Sequence, residues 1–177
     1  GLYLVRKFFG QVEQMQTEID KSTMEEIERL VNDGSRVVLP FNKKTLVRGD
    51  STTFGLGILN ILGGPPTSFD VRVAFDKAIL KNGSEAQIAP HYINKNWIFN
   101  ESRVFTIKNN EFEAIPLYVK VDGAMSEDVP TAEGTYIFNV YVCPMTASYD
   151  GYCQNDEDTT RDELYDGRIH KFYVEVK

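Results

Sequence analysis

From Ser35 to Val176 the hydrophobic side chains of this chain recur at every second residue. That rhythm belongs to pleated strands, and only two facing layers can hide it from water. Phe54, Leu56 and Ile58 point one way while Thr53, Gly55 and Gly57 point the other. Phe69, Val71, Val73 and Phe75 face away from Asp70, Arg72 and Asp76, and Tyr136, Phe138, Val140 and Val142 oppose Thr135, Ile137, Asn139 and Tyr141. Strands are predicted over residues 36–41, 45–47, 52–62, 69–80, 86–88, 97–99, 104–108, 112–121, 135–143 and 169–176. Between them, Arg48-Gly49-Asp50, Gly63-Gly64-Pro65-Pro66, Asn82-Gly83, Asn109-Asn110 and Glu133-Gly134 supply the backbone angles that turns require. A hairpin of segments 52–62 and 69–80, turning at 63–67, is expected at the centre of one sheet. The glycines alternating with Phe54 and Leu56 imply a bulge or a neighbouring side chain lying across that strand.

Before Ser35 the period is that of a helix. Val5, Phe8, Val12, Met15 and Ile19 form a stripe with spacings of three and four. It reads either as the end of a membrane-anchoring helix or as an amphipathic helix that packs on the domain or on another copy. Ser22 with Glu25 and Thr23 with Glu26 offer capping boxes for a second helix, which should stop near Asn32-Asp33-Gly34. The predicted organisation is a helical stalk or packing segment over residues 1–34 and a β-sandwich over 35–177. No stretch approaches a transmembrane span, and the beginning lacks the pattern of a signal peptide. An export signal or a membrane tether is therefore expected, if anywhere, ahead of Gly1.

With 177 residues, 42% of them hydrophobic, and eleven Phe, nine Tyr and one Trp, the chain can bury one sizeable core. A net charge of -7 without a concentrated Lys/Arg face excludes a nucleic-acid surface. Cys143 and Cys153, the two cysteines, bracket a polar stretch at the end of a strand. They either pair, which implies an oxidising compartment, or remain two thiols in a reducing one. Beyond them, Asp156, Asp158 and Asp162 crowd with Glu157, Glu163 and Asp166 against Arg161 alone. Such a loop is either solvated or holds calcium, whose hard ion takes several carboxylate oxygens. The EF-hand spacing fails, because counting from Asp156 puts Arg161 where glycine is needed.

Asn82 and Asn100 fit the glycosylation acceptor triplet, although Asn82-Gly83 is equally a hairpin turn. His91 and His170 lie far apart, and no nucleophile, metallopeptidase, P-loop or dinucleotide fingerprint occurs. No catalytic residue and no obligate cofactor is therefore expected.

Thr45-Leu46-Val47-Arg48-Gly49-Asp50-Ser51-Thr52-Thr53-Phe54 and, much later, Val129-Pro130-Thr131-Ala132-Glu133-Gly134-Thr135-Tyr136-Ile137-Phe138-Asn139-Val140 resemble the strand motifs of immunoglobulin-like surface domains. The likeness covers about 130 residues. In such domains the tyrosine of the second motif bonds back to backbone at a corner between sheets. Phe138 stands where antibody-type domains place their second cysteine, so their inter-sheet disulfide is excluded. The chain is more similar to cysteine-poor sandwiches on exported microbial proteins, many of them archaeal, which stand on a helical stalk beside the membrane.

The resemblance implies a mainly β, immunoglobulin-like antiparallel sandwich preceded by one or two α-helices, at the cell surface or outside the cell. From the chain as a whole, a non-enzymatic module acting on a protein partner or by self-association is expected, through the stapled acidic loop or an open sheet edge. The alternatives are a calcium- or glycan-binding module and, after these, a hydrolase.

Overall fold

The computed structural model of the chain describes residues 18–99, 102–145, 153 and 164–177. The stripe from Val5 to Met15 lies outside them. In chain order the elements are α1 (Lys21–Asn32), β1 (Val37–Val38), β2 (Lys43–Leu46), β3 (Ser51–Leu59), β4 (Thr67–Leu80), α2 (His91–Asn96), β5 (Ser102–Ile107), β6 (Phe112–Lys120), β7 (Ala124–Ser126), β8 (Val129–Pro130), β9 (Gly134–Met145) and β10 (His170–Val176).

Two sheets carry the molecule, one in the order β1-β3-β6 and one in the order β2-β10-β9-β4-β5, with a small β7-β8 ribbon at one end. Among the described residues all strand pairings are antiparallel except β2 with β10, which run parallel from Lys43 opposite Tyr173 to Leu46 opposite Val176. The alternation read from the sequence is the reason for the layering. Phe54, Leu56 and Ile58 on β3, Phe69, Val71, Val73 and Phe75 on β4, and Tyr136, Phe138, Val140 and Val142 on β9 share one buried core. Its centre is aromatic, with Phe138 stacked on Phe172 at 4.8 Å and Phe172 tilted on Phe54 at 4.4 Å between ring centres. The molecule is thus mainly β, in two facing sheets.

The outward face of β3 explains its glycines. α1 lies across it, and Met24, Ile27 and Val31 pack with Val38 and Ala114 in a separate apolar cluster. A Cβ at Gly57 would stand 2.5 Å from Ile27 Cγ2 and 2.8 Å from Val38 Cγ2. A neighbouring side chain does lie across the strand, and it belongs to the helix. The cap differs from expectation by a few residues: Asp20, not Ser22 or Thr23, stands at the N-cap, its carboxylate accepting the Thr23 amide at 3.3 Å and the Thr23 hydroxyl at 2.5 Å. At the other end Gly34, with φ of +95°, ends the helix where Asn32-Asp33-Gly34 was read.

The expected hairpin of β3 and β4 is corrected by the structure, because the two strands lie in opposite sheets. Residues 60–66 carry the chain across. Buried Asn60 donates to Ile107 O at 2.7 Å and accepts the Leu62 amide at 3.0 Å, so the corner is tied to β5 instead of folding back on β3. Segment 86–88 is not a strand, and 97–99 forms only a bridge of Ile98 to Val119. Between them α2 appears instead, pinned where the Asn94 side chain accepts the Phe75 amide at 2.7 Å beside the β4 bulge.

Candidate functional site at the disulfide-clamped face

Past Asn139 the residues of β9 that point away from the core are Tyr141 and Cys143, yet both are buried. Cys153 and Leu164 cover them, forming with Ala74 a third apolar cluster on the outer face of the larger sheet. Cys143 and Cys153 are joined in a disulfide, their Cα atoms 5.6 Å apart. Both cysteines are fully excluded from solvent.

Asp70 completes this clamp. It sits on β4 directly opposite Cys143, is fully buried, and its carboxylate accepts the Cys153 backbone amide. A buried carboxylate is costly unless hydrogen-bonded, so the bond to Cys153 both relieves Asp70 and locks the far end of the disulfide. The chain then returns to the sandwich at Tyr165. Its amide donates to Val142 O at 2.8 Å. The ring packs 4.8 Å from Phe69 under the Arg36 guanidinium, and the phenol donates to Leu59 O at 2.8 Å while accepting the Ile61 amide at 3.0 Å. His170 Nε2 lies 2.7 Å from Asp166 Oδ2, which ties the start of β10 to the same return. Cys143, Cys153 and Tyr165 are thus three points at which this part of the chain is tied to the larger sheet and the core beneath it.

The expected calcium ligands Asp156, Asp158 and Asp162 lie outside the described residues, as does Asn100. Among the described residues no group of three or more His, Cys, Asp or Glu side chains is placed to hold a metal. Asn82 is exposed on the turn after β4, where its side-chain oxygen accepts the Ser84 amide at 2.9 Å and the Ser84 hydroxyl at 2.6 Å, beside Gly83 at φ of +87°. Arg48-Gly49-Asp50 is a turn closed by the Asp50 amide on Val47 O. Among the described residues no helix is long and apolar enough to cross a membrane.

Two features here escaped the sequence reading. Asp70 was visible only as one outward residue of an alternating strand, since nothing local says that β4 pairs with the cysteine strand. The second is a polar cleft of about 470 Å³ lined by Ala89, His91, Tyr92, Lys95, Asn96, Ser126 and Glu127, where α2 faces β7. The Tyr92 hydroxyl donates to Asp122 Oδ2 at 3.0 Å, and that bond pushes the phenol above its ordinary range. The Asn96 amide donates to Tyr92 O at 2.8 Å. Trp97 holds both walls, its own amide bonded to Ile93 O and its indole N–H to Ala124 O at 2.9 Å.

No family model and no curated protein matches the chain. Solved structures similar to it include a family 123 glycoside hydrolase from Clostridium perfringens, at 12% identity over 87% of this chain and 25% of that one, with a TM-score of 0.41. Another is the alkylpurine DNA glycosylase AlkC from Pseudomonas fluorescens, at 11% identity, 88% and 34% coverage and a TM-score of 0.42. A third is a cohesin–dockerin complex from Clostridium thermocellum, at 11% identity, 81% and 100% coverage and a TM-score of 0.37. This chain spans only 25% and 34% of the first two. At such identities and scores the likenesses carry no inference about activity, substrate or partner.

Proposed function

We propose that this chain is a non-catalytic, immunoglobulin-like binding or assembly module that works outside the cytoplasm through the loop clamped by Cys143 and Cys153. The observation that carries the reading is the disulfide itself, buried on both sides and backed by Asp70. Such bonds persist in oxidising compartments. Support for the immunoglobulin-like topology comes from the parallel β2–β10 pair beside an otherwise antiparallel sandwich, and from the Tyr136 hydroxyl donating to Ala132 O at 2.7 Å at the entry to β9. The acidic stretch that follows Cys153, with Asp156, Glu157, Asp158, Asp162 and Glu163, favours a protein partner with a basic surface, through charge complementarity.

The test uses intact producing cells. A membrane-impermeant amine cross-linker is applied to the natural protein and to a variant whose residues 146–152 and 154–163 are replaced by a Gly/Ser sequence of equal length. The expected result is a cross-linked adduct that the replacement abolishes, together with a non-reduced mass two hydrogen atoms below that of the dithiol. Two free thiols in the native protein, or an adduct unchanged by the replacement, overturns the proposal.

A further inference from the structure

We infer that the cleft between α2 and β7 is a saccharide-binding subsite that accepts one pyranose ring against Tyr92. This site is separate from the cluster of Ala74, Tyr141, Cys143, Cys153 and Leu164 around the disulfide, with which it shares no described residue.

The walls are preformed. α2 is fastened to the bulge of β4 by Asn94, and the β7–β8 ribbon is fastened by the Trp97 indole on Ala124 O and by the Thr131 hydroxyl on Asp122 O at 2.7 Å. Tyr92 is partly exposed, with its hydroxyl held by Asp122 and its backbone carbonyl by Asn96. An aromatic ring held at its hydroxyl suits the apolar C–H face of a sugar ring, and it loses little entropy on contact.

Around that face stand groups of both hydrogen-bonding senses. Lys95 donates, Glu127 accepts, and Ser126, Asn96 and His91 each do both. A ligand studded with hydroxyls, each a donor and an acceptor, matches a lining of this kind, whereas a purely anionic ligand meets Glu127 and a purely cationic one meets Lys95. The volume of about 470 Å³ lies within the range of small-molecule sites and accommodates a single ring or the end of a chain.

The experiment titrates the isotopically labelled protein with the methyl glycosides of glucose, galactose, mannose, N-acetylglucosamine and glucuronic acid, followed by backbone amide NMR. Glycine and sulfate serve as comparison ligands. At least one glycoside should give saturable shifts confined to residues 89–97 and 122–128. Tyr92→Ala should weaken that binding at least tenfold, while Tyr92→Phe, which keeps the ring, should weaken it less. Ser126→Trp, which puts a bulky side chain on the cleft lining, should abolish it; thermal melts of each variant establish that it is folded. Absence of saturable shifts with every glycoside, equal binding of glycine or sulfate, or a folded Tyr92→Ala protein that binds as well as the natural one overturns the inference. None of these results depends on the Cys143–Cys153 loop.

Discussion

The phenol of Tyr136 has no solvent exposure, bonds to Ala132 O, and is pushed by burial up to about 12 from an ordinary value of 10.0. Because the folded state holds that proton more tightly than the unfolded chain, the associated stability is complete below pH 10 and is lost as the pH rises through about 12. Tyr136→Phe should cost about 1–2 kcal/mol at neutral pH, measured by urea unfolding, and should remove this share of the alkaline loss. Two positions away, Gly134 has a different constraint. A Cβ there would lie 2.5 Å from Ile79 O and 2.9 Å from Leu80 Cα, both backbone atoms of the paired β4. Gly134→Ala should therefore destabilise by about 1–3 kcal/mol, since no side chain can yield. At the clamp, Asp70→Asn puts a donor where the Cys153 amide needs an acceptor, or leaves that amide with a weaker one. A loss of about 1–3 kcal/mol is expected, and faster reduction of the disulfide by dithiothreitol under native conditions is the specific readout.

Among the elements, α1 is where local sequence and tertiary packing meet most directly. Gly55 and Gly57 leave a trough on β3 into which Thr23, Ile27 and the partly buried Ile19 settle. Gly57→Val would overpack Ile27 and Val38, costing about 1–3 kcal/mol. Limited proteolysis should then cut first within residues 18–34, because the aromatic core on the other side of β3 is untouched. The trough was legible as a row of glycines, and β3, β4, β9 and β10 were legible from alternation, whereas β6, expected over 112–121, is a continuous apolar run from Ala114 to Val119 that is buried on both faces. Their assignment to sheets was not: β3 and β4 are neighbours in sequence, and only the ties of Asn60 to Ile107 and Glu111 reveal that the chain crosses over. α2 was hidden for the same reason, since its six residues are held by Asn94 and Trp97 to distant strands and not by any strong helical period. The clamp was half legible, as two cysteines, while Asp70 and Tyr165 acquire their roles only through pairings dozens of residues apart.

Seen as a whole molecule, the sandwich is closed along both open sides by one cation reaching from the larger sheet to a carbonyl of the smaller. Lys44 on β2 donates to Thr53 O at 2.6 Å and lies 5.1 Å from the centre of the Phe54 ring. Arg103 on β5 donates to Pro116 O at 2.6 Å and lies 5.2 Å from the centre of the Phe105 ring. Burial pulls Arg103 down to about 10 and lowers Lys44, the latter despite the opposing charge of Asp20. A lowered folded-state value means that the unfolded chain binds more protons between the two values. Stability from Lys44 therefore grows as the pH climbs through its folded value toward the ordinary 10.5, and is flat below both. Lys44→Met should lack that rise, so the gap in unfolding free energy between natural protein and variant, followed by urea denaturation, should shift in favour of the natural protein as the pH approaches 10.5.

The parallel pairing of β2 with β10 has a mechanical consequence. Tension entering at Lys43 and leaving at Val176 pulls at opposite ends of the ladder, loading its cross-strand bonds together, in shear, where an antiparallel terminal pair would unzip them singly. Stretched from both sides, the domain would thus yield abruptly at high force, with residues 18–42 peeling away beforehand.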